Sequence, residues 1–330
     1  MAPTLQAVRG NEPTLGQLGE FPMIDRLVAG RRQPATTQLG PGDDAAVVGC
    51  ADGRVVVSTD MLVEGRHFRL DWSAPEQVGR KAIAQNAADI EAMGARPTAF
   101  VVGFGAPSDT PAADAAALAD GMWAEAERLG AGVVGGDLVQ ADRWVVSVTV
   151  LGELAGRAPV LRSGARPGTT LAVAGDLGRS AAGLRLLSDG AGGFPELEQR
   201  HLVPEPPYGQ GAVAAGAGAQ AMTDVSDGLI ADLGHLADAS QVTLDVSTAA
   251  LAPDHRVLAS AAAAVGADPW SWVLGGGEDH ALVAAFPDGV PAGWRAIGHV
   301  LPGPARVLVD GVVWDGQAGW QSFDPGAPLR

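Results

Sequence analysis

The 330-residue chain is poor in residues on which several protein classes depend. Cys50 is the only cysteine, so no intramolecular disulfide can form, and we expect a reducing, cytoplasmic location. Lys81 is the only lysine, and neither the Gly-Lys-Ser/Thr of a Walker A loop nor the lysine strand and His-Arg-Asp loop of protein kinases is present. The N-terminal segment lacks the basic start and apolar run of a signal peptide. No uncharged apolar stretch reaches the ~18 residues of a membrane span, so no membrane partner is expected.

Positive charge and aromatic residues are also scarce. There are 22 Lys and Arg against 38 Asp and Glu, which gives a formal net charge of −16. This balance argues against a nucleic acid or an anionic membrane surface as the partner, because both require a basic face. It suits a phosphorylated substrate only if metal cations intervene. With 47% hydrophobic and 5% aromatic residues, the sequence predicts globular domains with cores of Val, Leu, Ile and Ala.

Strand and helix patterns alternate along the chain and predict an α/β fold with mixed sheets. The stretch 45–62 predicts two strands joined in a hairpin by the turn Asp52-Gly53. The stretch 73–94 predicts a helix, with Ser73 and Glu76 at capping-box spacing. A Gly-, Pro- and Arg-rich segment follows residue 150. We therefore expect a first domain over residues 1–150 and a second over 151–330.

One polar stripe is predicted on the helix at 73–94. Lys81, Gln85 and Asp89 are spaced four residues apart, so they lie on the same side of the helix. Ile83, Ile90 and Met93 belong to its apolar side.

Aspartates recur along the chain, and at four sites they follow a predicted apolar strand beside glycine or another small residue. Ligand sites of α/β proteins gather at strand ends. Taken singly, each carboxylate could be an ordinary turn residue or a helix cap. Together in a closed pocket they would repel one another, and Mg²⁺ ions held by carboxylates and substrate phosphates would relieve that repulsion. The candidates for such a set are Asp44, Asp60, Asp89, Asp137, Asp224 and Asp227.

Seven blocks of the chain, in order and spacing, carry a resemblance to a known family. They are LGPGDDAAVV, STDMLVEGRHF, KAIAQNAADIEAMGARP, VGGD, LRSGARPG, DVSDGLIADLGHLA and GGGEDHAL. From about residue 20 to 323 the sequence resembles the thiamine-monophosphate kinase family. That family shares a superfamily with aminoimidazole ribonucleotide synthetase, selenophosphate synthetase and a hydrogenase-maturation protein.

The resemblance implies a two-domain aminoimidazole ribonucleotide synthetase-like fold and a homodimer whose N-terminal domains pair through their strands. It implies ATP-dependent, Mg²⁺-dependent phosphorylation of thiamine monophosphate to thiamine diphosphate. The implied metal ligands are Asp44, Ser58, Thr59, Asp60, Asp89, Asp137, Asp224 and Asp227. The implied ATP contacts are Gly136, Asp137, Arg162 and Ser226, and the implied substrate contacts are His67, Glu278 and Trp320.

The chemistry expected from this set needs neither a general base nor a nucleophile. The acceptor phosphate oxygen is already largely deprotonated near pH 7, so direct in-line transfer depends mainly on alignment and charge neutralisation. Asp60 and Asp224 would then act through metals. A structural role for His67 and a core-anchoring role for Trp320 stay open.

The sequence departs from the family pattern at two places, and two other functions are considered beside the kinase. The usual GGEDYEL is GGEDHAL here, with His280 and Ala281, and no aromatic residue lies near Leu129 to stack on adenine. One rival is another ATP-dependent enzyme of the superfamily, although the reactive cysteines of two relatives have no counterpart. The other is a non-catalytic subunit that binds nucleotide and Mg²⁺.

Overall fold

The computed structural model describes residues 12–41, 45–316 and 318–320. Its helices are α1 (Leu15–Leu18), α2 (Glu20–Val28), α3 (Pro75–Ala92), α4 (Ala112–Arg128), α5 (Arg179–Asp189), α6 (Pro195–Leu202), α7 (Gln210–Gly216), α8 (Leu229–Ser240), α9 (Thr248–Val265) and α10 (Pro269–Gly275). Its strands are β1 (Thr37–Leu39), β2 (Val47–Val48), β3 (Val56–Val63), β4 (Arg96–Ala106), β5 (Gly132–Gln140), β6 (Val145–Glu153), β7 (Thr170–Ala174), β8 (Ala221–Val225), β9 (Thr243–Val246), β10 (Ala281–Phe286), β11 (Arg295–Leu301), β12 (Arg306–Val309) and β13 (Val312–Val313). The α/β class with mixed sheets is confirmed. Within these residues, no helix has both the length and the apolar character to cross a bilayer.

The N-terminal half is built on a four-stranded sheet with the order β3-β6-β4-β5. β3 and β4 are antiparallel to β6, whereas β4 and β5 run parallel. Buried and half-buried positions alternate along β6, as expected for a strand with one covered face. The covered face packs on α3 through an apolar core that includes Ile83, Phe100 and Val148. Among the described residues the opposite face is open, and Val57 and Met61 are exposed on it.

The C-terminal half is built on a seven-stranded sheet with the order β13-β12-β9-β11-β7-β10-β8. All six residues of β10 are buried, as expected for a strand covered on both faces. Leu233 of α8, Leu258 of α9 and Val283 of β10 belong to the core on one face. Phe286 and Trp294 belong to a smaller core on the other face and meet edge to face. The predicted division at residue 150 stays a prediction, and β6 runs on to Glu153.

Helix α3 lies between the two sheets and is buried on almost every side. Its small residues permit this close packing: a Cβ on Gly79 would stand 2.0 Å from the carbonyl oxygen of Leu118 in α4. Near its C-terminal end, the Glu91 carboxylate accepts hydrogen bonds from Gly209 N and Gly211 N at the start of α7. One helix therefore supports both halves.

Two local predictions are wrong. Asp52-Gly53 does not join two paired strands, because β2 pairs with β1 and β3 pairs with β6. The predicted Ser73–Glu76 capping box is displaced by one residue, since the N-cap is Ala74 and its N–H donates to the side chain of Gln77 at 2.9 Å. Alanine has no side-chain acceptor, so only the backward half of a capping box can form.

Candidate functional site

Strand β3 and helix α3 form the N-terminal wall of the candidate site. Ser58 Oγ donates to Asp89 Oδ2 at 2.6 Å, and Gln85 Nε2 lies 3.4 Å from Asp60 Oδ2. The main-chain N–H of Asp60 donates to Asn86 Oδ1 at 3.1 Å. Alternate residues of β3 thus face the helix, and the helix residues fix their positions.

The C-terminal half adds Asp224, which is buried at the end of β8. Burial, together with the negative charges of Asp224 and Asp60, raises the pKa of Asp89 to about 7. Carboxylates from both halves are therefore close enough to resist ionising together. We call Ser58, Asp60, Asp89 and Asp224 the acidic cluster.

His280 is in contact with Asp224. Its Nδ1 lies 3.3 Å from Asp224 Oδ2, and the ring is buried. Burial disfavours the charged imidazole, but the hydrogen bond to Asp224 and that residue's charge hold the pKa of His280 above its ordinary value. The departure from the family's tyrosine thus places a titratable ring against the cluster.

A second buried carboxylate shapes the loop that follows β8. Asp232 Oδ2 accepts hydrogen bonds from Asp227 N and Gly228 N, both at 3.0 Å. Burial and the charge of Asp224 raise the pKa of Asp232 to about 7. The position of Asp227 therefore depends on a side chain in the first turn of α8.

Main-chain hydrogen bonds join this loop to two other predicted contact segments. Glu278 N donates to Ser226 O at 2.9 Å, and Trp320 N donates to Asp227 O at 3.0 Å. These bonds bring together three segments that are distant in sequence: Ser226 with Asp227, Glu278, and Trp320.

Glu278 is buried and paired with the single lysine. Lys81 Nζ lies 2.9 Å from Glu278 Oε2 and also donates to the carbonyl oxygen of His67 at 3.0 Å. Burial alone would raise the pKa of Glu278, but Lys81 holds it below its ordinary value. His67 Nδ1 accepts a hydrogen bond from Val63 N at 3.0 Å, which fixes the loop after β3.

The Thr59 side chain is not part of the acidic cluster. It donates to Val148 O at 3.0 Å and contacts Thr149 Oγ1 at 3.1 Å. Successive side chains of a strand face opposite sides, so Thr59 points away from Ser58 and Asp60. Any contact of Thr59 with a metal in the cluster would have to come from its main chain.

Gly136 and Asp137 are also separate from the acidic cluster. Both are exposed on β5, and Asp137 Oδ1 accepts a hydrogen bond from Leu138 N. β5 and β3 are the opposite edges of the sheet, which puts them about 14 Å apart for strands spaced about 4.8 Å. Within one copy of the chain, Asp137 and Asp60 cannot hold the same ion.

Arg162 is exposed in the segment between the sheets, and its carbonyl accepts a hydrogen bond from Ser240 Oγ. Its charge acts against the raised pKa of Asp232, which places the guanidinium on the side of the Asp227 loop. Asp44 lies outside the described residues.

The donor set fits a hard cation that also binds its substrate. In the part of the chain that the structure describes, no three His, Cys, Asp or Glu side chains are arranged to hold a metal by themselves. The acidic cluster offers carboxylate and hydroxyl oxygens, the ligands Mg²⁺ takes in ones and twos alongside substrate phosphates. The raised pKa of Asp89 indicates negative charge that a cation would neutralise.

Sequence reasoning missed three residues that position the site: Lys81, Asn86 and Asp232. Lys81 was assigned only to a polar stripe, and Asn86 carried no motif. Asp232 gave only a weak signal, that of an acidic residue in the first turn of a predicted helix.

Comparisons with known proteins show what this chain is similar to. Residues 42–154 match the family model described as AIR synthase related protein, N-terminal domain. The thiamine-monophosphate kinase of Mycobacterium tuberculosis (strain ATCC 25618 / H37Rv) is 71% identical over 311 residues, which cover 94% of this chain and 93% of that protein. The corresponding protein of Corynebacterium glutamicum is 47% identical over 321 residues, covering 94% and 95%.

A solved structure described as AaThiL complexed with AMPPCP and TMP superposes with a TM-score of 0.74 at 31% identity, covering 93% of this chain and 97% of that one. Identity at this level over nearly the whole chain shows the family as well as the fold. The chain is a phosphotransferase that belongs to the thiamine-monophosphate kinase family within the AIR synthase-like superfamily.

Proposed function

We propose that the protein transfers the γ-phosphoryl group of ATP to thiamine monophosphate, giving ADP and thiamine diphosphate. The observation that carries this is the convergence of Asp60 and Asp89 from one half with Asp224 from the other. The names of the relatives and the AMPPCP and TMP complex of one of them support the choice of both substrates.

We further propose that several Mg²⁺ ions bind with the substrates. ATP carries about −4 and a phosphate monoester about −1.5 to −2 near pH 7, so the acidic cluster cannot receive them without cations. When bound, Mg²⁺ neutralises the phosphates and aligns them. Ser58, Asp60, Asp89, Asp224 and Asp227 would hold the ions, joined by Asp44 and Asp137.

The side chains near the site support our proposal of direct in-line transfer. His201 is buried behind Lys81, and burial followed by the charge of Lys81 lowers its pKa to about 3, so it stays neutral. His280 is bonded to Asp224. The acceptor oxygen is ionised without help, so the protein's contribution is positioning and electrostatics.

The substrate contacts divide between two sides of the site. We assign Glu278, His67 and Trp320 to thiamine monophosphate, with the indole stacking on the cationic thiazolium. We assign Gly136, Asp137, Arg162 and Ser226 to ATP. The main-chain bonds around Ser226 and Asp227 support a shared boundary between the two substrates.

We also propose a homodimer in which the two four-stranded sheets cover each other's open faces. The open sheet face exposes Val57 by 59%, Met61 by 53%, Val101 by 39% and Val139 by 53%, an apolar surface typical of an interface.

The direct test is an assay of purified protein with ATP, Mg²⁺ and thiamine monophosphate. We expect equal amounts of ADP and thiamine diphosphate, and at least a 100-fold loss of turnover in Asp60→Asn with an unchanged fold. Asp142→Asn, at an exposed carboxylate, is the matched control and should behave as wild type. Nucleotide binding without turnover in the wild type would instead favour a non-catalytic subunit.

A further inference from the structure

Lys81 occupies an unusual place for a lysine. Its side chain is 2% exposed, and its ammonium group contacts Glu278 Oε2 at 2.9 Å, His67 O at 3.0 Å and His201 O at 3.4 Å. An ammonium has three N–H donors, so every donor has a partner. These partners come from the loop after β3, the end of α6 and the loop before β10.

Two of the three contacts cross between the two halves of the molecule. Lys81 and His67 belong to the N-terminal half, whereas His201 and Glu278 belong to the C-terminal half. The two carbonyl oxygens hold the ammonium in place, and the ammonium in turn holds one carboxylate oxygen. Arginine could not replace it, because a planar guanidinium is larger and points its donors in fixed directions.

The segment that carries Glu278 needs such support. Glu278 and His280 have φ angles of 63° and 53°, the left-handed region that side chains other than glycine rarely adopt. Strained conformations of this kind persist only where several contacts fix them. Here the contacts are Lys81, the main-chain bonds to the β8 loop, and Asp279, which accepts hydrogen bonds from Gly178 N and Ser180 N.

We propose that Lys81 is a positioning residue for thiamine monophosphate: it holds the Glu278 carboxylate in the orientation that receives the substrate. This rests on the proposed function and adds a residue to its substrate side. Lys81 occupies Oε2 of Glu278, so the substrate contact is made through Oε1. Lys81 touches neither substrate and acts through Glu278.

The experiment compares Lys81→Met, Glu278→Gln and the double variant with the wild type. Arg80→Met is the control, because it removes the neighbouring cation of the same helix. Glu125, the partner of Arg80, still has Arg128 and Tyr208 as partners in this variant. For each protein, kcat and both KM values are measured from pH 6 to pH 9. Ratios to the wild type cancel the ionisation of the substrate phosphate.

We expect Lys81→Met to raise KM for thiamine monophosphate at least tenfold and to change KM for ATP less than threefold. Arg80→Met should leave both values near wild type. In Lys81→Met the groups facing Glu278 are reduced to His201 from α6 and His280 from its own segment, so burial dominates and the Glu278 pKa rises. The excess in KM should therefore shrink as pH increases, and the double variant should lack that recovery.

The double variant also covers the case in which Lys81→Met does not fold, because it leaves no unpaired buried charge. A KM for thiamine monophosphate equal to that of Glu278→Gln supports action through Glu278, and a further independent loss overturns it. An unchanged KM in Lys81→Met, or a pH-independent loss shared by both substrates, also overturns it. Absence of thiamine diphosphate with the wild type would instead show that the proposed function is wrong.

Discussion

At the scale of single residues, the site is governed by carboxylates that resist ionising. Asp89 and Asp232 each have a pKa raised to about 7, first by burial and then by the charge of Asp224. Hydrogen bonds from Ser58 and from Gly228 N act in the opposite direction but do not outweigh burial. Protonation or a bound cation relieves the repulsion between these carboxylates.

This arrangement predicts how stability depends on pH in the absence of metal. Asp89 ionises near pH 3.8 in the unfolded chain but near pH 7 in the folded one. The folded state thus binds more protons across this window, and its stability falls as pH rises from about 4 to 7. Asp89→Asn should abolish this fall in the free energy of unfolding. Because Asp89 is partly exposed and solvent screens its charge, we expect the fall to be on the order of 1–2 kcal/mol.

Urea denaturation without Mg²⁺ at pH 5, 6, 7 and 8 measures this effect. Asp142→Asn, at an exposed site, should keep the wild-type slope. If the free energy of unfolding of Asp89→Asn depended on pH as steeply as that of the wild type, burial and neighbouring charges would not be raising the pKa of Asp89.

At the scale of elements, α3 and the start of α8 place the functional side chains. The sequence predicted α3 and its polar stripe, because the four-residue spacing of Lys81, Gln85 and Asp89 is a local property. It did not predict that the stripe is buried between two sheets, since that depends on packing between residues far apart in the chain. The hairpin at Asp52-Gly53 was wrong for the same reason: the partner of β3 is β6, about 90 residues away.

The resemblance to a family named most of the candidate site residues. It could not show which of them lie apart from the acidic cluster in the folded chain. The resemblance assigns Thr59 and Asp137 to the same metal-binding set as Asp60, yet strand alternation and strand order place them elsewhere. Asn86 and Asp232 act through hydrogen bonds to main-chain N–H groups, which no residue pattern around them specified strongly.

The start of α8 gives a prediction at this scale. Asp232→Ala leaves the N–H groups of Asp227 and Gly228 without their acceptor, which should cost about 1–3 kcal/mol of stability and lower turnover at least tenfold. Asp232→Asn keeps an acceptor oxygen and should retain most of the stability and most of the turnover. Urea denaturation and the kinase assay on the two variants measure this, and equal behaviour would contradict the capping role.

At the scale of the whole molecule, the open face of the N-terminal sheet is expected to be covered by a second copy. Met61→Glu places a charge in this apolar face and should convert a dimer into monomers. Val312→Glu is the matched control, because Val312 is 68% exposed on the edge strand β13 of the other sheet. Analytical ultracentrifugation measures the outcome, and a wild-type monomer or a dimeric Met61→Glu protein would contradict the proposed interface.

The central claim is that carboxylates from both halves bind divalent cations between two phosphorylated substrates. The most direct measurement is a crystal structure with Mn²⁺, a nonhydrolysable ATP analogue and thiamine monophosphate, in which anomalous scattering locates the metals. We predict anomalous peaks within about 2.5 Å of carboxylate oxygens of Asp60, Asp89 and Asp224 and of substrate phosphate oxygens. Bound substrates with no peak at these three carboxylates would contradict the account.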